Sequence, residues 1–125
     1  MITLTTDFGI SSAYTSLLKG AILSINPKAT LVDVTHEIAM GDIFSAAYIL
    51  GTLNGYFPDR TIHLAVVDPG VGSSRNALAI DMGSQFFVGP DNGLASHLCP
   101  AVEKASIIQS RDDTIGTGST RAPEG

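Results

Sequence analysis

Acidic residues close three strand-like apolar runs of this chain: Asp7 follows Ile2–Thr6, Asp33 to Glu37 end the run from Ala29, and Asp68 follows Ile62–Val67. Carboxylates delivered by apolar runs are groups that a buried strand can present at a sheet edge. In open α/β sheets ligands bind outside the carboxyl ends of strands. Asp68 is the first candidate, because Pro69-Gly70-Val71-Gly72-Ser73-Ser74 turns the chain and Arg75 follows within reach of the carboxylate. The same Asp-Pro-Gly segment also reads as an ordinary loop. Asp7, Asp33, His36, Glu37 and Asp68 together offer oxygen and nitrogen donors for a divalent metal. Their spacing matches no tight ligand motif, His36-Glu37 has no second histidine at helical spacing, and Arg75 would compete with a cation. The Gly70–Ser74 stretch lacks the Lys-Ser/Thr ending of a phosphate loop and opens no helical pattern. Nothing like a nucleophile elbow surrounds Ser73 or Ser74.

The elements that must position these residues follow from periodicity. Ile2–Thr6 alternates apolar and hydroxyl side chains and predicts a strand. Ser11 and Ser12 are candidate caps for a helix with Tyr14, Leu17, Leu18, Ala21, Ile22 and Ile25 on one face, closed by Asn26-Pro27. Ala29–Thr35 predicts a second strand. Asp42 then caps a helix carrying Ile43, Ala46, Ala47, Leu50 and Leu53, which ends by Phe57-Pro58. Ile62–Val67 is the third strand. Alternation of this kind implies parallel pairing through right-handed crossovers, with the acidic strand ends along one edge. Ala77–Asp81 and Gln85–Val88 flank Met82-Gly83-Ser84 as a hairpin, so the sheet becomes mixed. A turn at Gly89–Gly93, a short helix over Leu94–Leu98 and a strand over Val102–Ile108 complete the pattern. The expected fold is therefore α/β, a Rossmann-like three-layer domain with a largely parallel, mixed sheet over residues 1–110 and an irregular tail at 111–125. His63 reads as a packed or edge strand histidine rather than a base, and His97 as solvent-facing. Tyr14, Tyr48, Phe57 and Phe87 fall at core periodicity, whereas Phe8 stays open as a platform for a ligand ring.

Composition narrows the classes. The chain has 125 residues, 44% of them hydrophobic and 15% charged, which suits a single domain with a real core. A net charge of −5 with seven scattered Lys and Arg argues against a nucleic-acid partner. No apolar run is long enough to span a bilayer. Cys99 is the only cysteine, so no intrachain disulfide can form and the cytoplasm is the expected compartment. Cys99 itself reads as a small buried hydrophobe.

Thr5-Thr6-Asp7-Phe8-Gly9, Val32-Asp33-Val34-Thr35-His36-Glu37-Ile38, Val66-Val67-Asp68-Pro69-Gly70-Val71-Gly72 and Gly89-Pro90-Asp91-Asn92-Gly93-Leu94 resemble, in order and spacing, the N-terminal domain of S-adenosyl-L-methionine (SAM) hydrolases. These are the hydroxide adenosyltransferases related to the fluorinases and chlorinases. The resemblance implies hydrolysis of SAM to adenosine and L-methionine by attack of water at C5′, with SAM as substrate and no metal or redox cofactor. It implies that Asp7 holds the ribose hydroxyls beside Phe8, and that Asp68 and Arg75 belong to the group that prepares the water. Asp68 stands where the halogenating relatives carry a tyrosine, and a carboxylate would repel a halide. The resemblance further implies a homo-oligomer, a trimer, with sites shared between an N-terminal domain and a neighbour's C-terminal β-barrel domain. That barrel and the family's catalytic histidine are not among these residues, since Ser119-Thr120 leads into Arg121-Ala122-Pro123-Glu124-Gly125 where members carry the histidine segment. The alternative reading is a non-catalytic module that binds adenosine or SAM, or serves oligomerisation.

Overall fold

The alternation at the start of the chain becomes strand β1 (Ile2–Thr6), whose last four residues are buried. The computed structural model describes residues 1–69 and 76–98 and the backbone of 104–108. The readings placed on Gly70 to Arg75, on Cys99 and on the 111–125 tail lie outside the described residues.

Helix α1 (Tyr14–Ile25) leads from β1 to β2 (Leu31–Thr35), and helix α2 (Ile43–Gly51) leads from β2 to β3 (Ile62–Val66). A hairpin of β4 (Ala77–Asp81) and β5 (Phe86–Pro90) follows, then a 3-10 turn at Leu94–Ser96 and strand β6 (Lys104–Ile108). The strands form one sheet in the order β2-β1-β3-β5-β4-β6. β1 pairs in parallel with both β2 and β3, and β3 in parallel with β5, while β4 runs antiparallel to its neighbours β5 and β6. The chain thus leaves β1 toward one side and returns past it to reach β3. That reversal makes the carboxyl ends of β1 and β3 a topological switch point, where α/β sheets open a crevice.

The helices cover opposite faces. Leu4 and Asp33 are register partners, and Asp33 is bonded to Lys19 of α1. Thr5 and Ala65, also partners, point the other way, and Ala65 shares a core with Ala46 and Leu50 of α2. On this second face Ile38, Val67, Ile80, Phe87, Leu94 and Leu98 complete the cluster. Burying a side chain such as Leu50 or Phe87 contributes roughly 1.5 to 3 kcal/mol. Asp42 caps α2 as its sequence suggests: its carboxylate accepts the Ser45 N–H at 3.1 Å and the Ser45 hydroxyl at 2.6 Å.

Another polar structure fixes the opposite end of the sheet. His63 lies in β3 beside Thr3 of β1, and both are fully buried. Gln85 donates its amide to the Phe57 and Pro58 carbonyls, so its Oε1 is turned to accept from His63 Nε2 at 2.8 Å. His63 Nδ1 then accepts the Thr3 hydroxyl at 2.8 Å. Every polar atom of the ring is satisfied in the neutral form, and burial holds the His63 pKa below its ordinary value.

Several boundaries and faces differ from expectation. The second strand starts at Leu31, not Ala29, because Asn26 organises a turn that accepts the Lys28 N–H on Oδ1 and the Ala29 N–H on its carbonyl. The N-cap position of α1 is Ala13, whose side chain makes no cap bond; Ser12, one residue earlier, accepts the Tyr14 N–H on its Oγ at 3.3 Å and donates its hydroxyl to the Phe8 carbonyl. The apolar face of α1 is not buried: Leu17 is 64% and Ile25 87% exposed. Tyr14 and Tyr48, expected in the core, are likewise exposed, whereas Phe87 is buried as expected. Helical periodicity reports an apolar face but not what covers it.

Candidate functional site

Thr6 ends β1 and the chain turns through Asp7, Phe8 and Gly9 at the switch point. Both neighbouring strands hold that turn. The Asp7 N–H donates to the Val66 carbonyl at 3.3 Å, and the Gly9 N–H donates to the His36 carbonyl at 2.7 Å. The loop from β2 to α2 closes over it: the Ile38 N–H donates to the Thr6 carbonyl at 3.4 Å, and the Gly41 N–H donates to Asp7 Oδ2 at 2.8 Å.

Gly41 is the residue that sequence reasoning missed. Its φ of +72° is a conformation that side-chain-bearing residues rarely adopt, and a Cβ there would lie 2.9 Å from Pro69 Cβ. A glycine thus lets the loop sit directly on the segment after β3 while its N–H orients the Asp7 carboxylate. Asp68 immediately precedes Pro69 and is half-buried at that strand end. Asn92 secures the same end from the far side: its Nδ2 donates to the Val67 carbonyl at 2.9 Å, and its Oδ1 accepts the Leu94 N–H. The Asp-Asn-Gly turn was the available signal for Asn92. Gly41 had none, because a glycine ahead of a helix cap is unremarkable in a sequence.

The Asp7–Phe8 turn forms one wall of a cleft of about 660 Å³ lined also by Tyr14, Leu17, Leu18 and Met40. The lining is largely apolar around the carboxylate, and Phe8 meets Tyr14 edge to face with ring centroids 5.9 Å apart. The cleft volume falls in the range of roughly 300 to 1,000 Å³ usual for small-molecule sites, which are mostly apolar with a few placed polar groups. The structure therefore brings Asp7 and Phe8 together as wall residues and sets Asp68 at the adjacent strand end through the Gly41–Pro69 contact. Arg75, the fourth expected site residue, lies outside the described residues.

Two of the donors weighed for a metal, Asp33 and His36, are bonded to each other. His36 Nε2 meets Asp33 Oδ1 at 2.7 Å, and Lys19 Nζ donates to Asp33 Oδ2 at 2.8 Å. The Lys19 hydrogen bond, then that of His36, holds the Asp33 carboxyl below its ordinary pKa. Glu37 is exposed. Among the described residues no group of three His, Cys, Asp or Glu side chains is placed to hold a metal ion.

Comparison with known proteins bears on this arrangement. A family model described as the SAM hydroxide adenosyltransferase N-terminal domain matches residues 2–122. The chain is 40% identical over 125 aligned residues to an (R)-S-adenosyl-L-methionine hydrolase of Methanocaldococcus jannaschii, an alignment covering 96% of the chain and 47% of the relative. It is 41% identical over 117 residues to a protein of the same name from Salinispora tropica, covering 92% of the chain and 44% of that relative. Among solved structures, an uncharacterized conserved protein from Thermotoga maritima superposes with a TM-score of 0.81 at 36% identity, over 90% of this chain and 44% of that one. The chain thus spans about half the length of the relatives that it matches.

Proposed function

Since the chain belongs to the SAM hydroxide adenosyltransferase family, matching its N-terminal domain, we propose that the Asp7 cleft receives the adenosyl group of SAM and that the assembled protein hydrolyses SAM to adenosine and L-methionine. The observation that carries this reading is the cleft itself: one carboxylate, oriented by a backbone N–H, in a largely apolar lining at the switch point of the sheet. The names of the relatives supply the substrate class.

The residues allow a specific division of labour. A carboxylate has lone pairs enough to accept from the ribose 2′ and 3′ hydroxyls while Oδ2 keeps the Gly41 N–H. Phe8 and the apolar lining take the flat base. Water attacks C5′, the C5′–S bond breaks, and its electron pair passes to sulfur, so methionine leaves as a neutral thioether and no general acid is needed. The remaining tasks are to align the oxygen and to accept its proton. Asp68 is the acceptor in this reading, and Arg75 fixes that carboxylate and keeps it ionised.

We further propose that the working form is an oligomer, a trimer, acting in the cytoplasm without a separate cofactor. Support for the assembly comes from exposed apolar side chains, among them Leu17 and Met40 of the cleft lining and Phe44 of α2. Incubation with SAM, with and without a separately supplied second half from a relative, followed by chromatography for adenosine and methionine, tests the reaction. Asp68→Asn keeps the side-chain shape but cannot take the proton as readily, and should lower the rate at least about a hundredfold. Wild-type turnover by that variant would remove Asp68 from the mechanism.

A further inference from the structure

Two buried threonine–histidine bonds sit at opposite ends of β1, and only one of them reaches the cleft. Thr6, Thr3, His36 and His63 are each buried. At the carboxyl end the Phe8 N–H donates to Thr6 Oγ1 at 3.2 Å, and Thr6 Oγ1 lies 2.7 Å from His36 Nδ1. Because the Asp33 carboxylate can only accept, His36 carries its proton on Nε2; its Nδ1 then accepts the Thr6 hydroxyl. The bonds therefore run donor to acceptor from Phe8 through Thr6 and His36 to Asp33, which also accepts from Lys19. The chain begins in the turn that forms one wall of the cleft. It ends on α1, whose Tyr14, Leu17 and Leu18 form the other.

Helix α1 has no buried residue to anchor it, so apolar packing alone does little to fix its distance from the sheet. We infer that Lys19, Asp33, His36 and Thr6 act as a clasp that sets the separation of the two cleft walls, and are positioning residues for the adenosyl group. None of the four lines the cleft. Their effect passes through the Phe8 amide at one end and the α1 backbone at the other. The network of Thr3, His63 and Gln85 has the same chemistry but ends on the Phe57 and Pro58 carbonyls, away from the cleft, and serves as an internal control.

The inference rests on the adenosyl reading of the cleft, and its test separates the two. Adenosine is titrated calorimetrically into the wild-type chain, Thr6→Val, Lys19→Met, their double variant and Thr3→Val, with amide spectra recorded before ligand is added. Thr6→Val and Thr3→Val each remove one buried hydroxyl–imidazole bond isosterically, and Thr6→Val also removes the Phe8 amide bond through which the clasp reaches the cleft. Lys19→Met, at a part-exposed position, carries little folding risk. The expected result is a loss of affinity of about tenfold for Thr6→Val and severalfold for Lys19→Met, with Thr3→Val within about twofold of wild type. The double variant should lose less than the product of the single losses, since members of one network couple. Wild-type affinity in both cleft-side variants, or an equal loss in Thr3→Val, overturns the clasp. Failure of the wild type to bind adenosine overturns the adenosyl reading instead. The clasp is then decided by the ligand-free spectra: Lys19→Met must shift the Phe8 amide resonance, and an unmoved resonance overturns it.

Discussion

His63 and His36 show how differently one side chain is used within a single sheet. Both bond a β1 threonine through Nδ1, but His63 gives its Nε2 proton to the neutral Gln85 and His36 gives its own to a carboxylate. Burial therefore lowers the His63 pKa from 6.5. The unfolded imidazole titrates near 6.5, so between that value and the lower folded one the unfolded chain binds more protons than the folded chain. Stability then rises with pH across this window and falls as pH drops below about 6.5. Urea denaturation at about pH 7.5 and about pH 5.5 should show the loss, and His63→Gln, which carries no titrating ring, should flatten it. Equal stability at the two pH values in the wild type would contradict a buried neutral His63. Sequence reasoning left His63 as a packed or an edge histidine; the structure decides for packed and supplies the partners. Thr3 and Gln85 become neighbours only through strand register, which one-dimensional spacing does not contain.

The helices differ in the same way. α1 and α2 both follow helical apolar periodicity, and both strand-to-helix alternations were legible from it. Yet α2 buries Ala46, Ala47 and Leu50, whereas α1 buries no residue. A pattern cannot distinguish a face turned to its own domain from one left for another surface. Leu50→Ala should accordingly cost about 2 to 5 kcal/mol, the range for truncating a buried leucine. Ile25→Ala should stay within about 0.5 kcal/mol in the same denaturation assay. A large loss for Ile25→Ala would show that α1 is covered by something in the state measured. The strand ends were more readable than the helix faces, because an acid following an apolar run marks the sheet edge whatever covers the faces. That is why the strand-end positions of Asp7 and Asp68 were legible, while Gly41, which works through backbone geometry and contact with Pro69, was not.

For the molecule as a whole, sheet order converts scattered residues into a site. Placing β1 between β2 and β3 gathers Asp7, the His36–Asp33 pair and Asp68 at neighbouring carboxyl ends. The parallel pairing was legible from the alternation of elements, and the mixed edge from the hairpin. The proposed substrate comes from the family resemblance, since the geometry by itself shows a cleft with one oriented carboxylate. The central claim is that this cleft binds the adenosyl group through Asp7. It is tested most directly by titrating adenosine into the chain and into Asp7→Ala, following affinity by calorimetry and amide shifts by NMR. The account predicts shifts concentrated at Asp7, Phe8 and Gly41, and a loss of roughly 1.5 to 3 kcal/mol in Asp7→Ala, as for a hydrogen bond to a charged group. Unchanged affinity in Asp7→Ala, or shifts confined to residues away from the cleft, would contradict it.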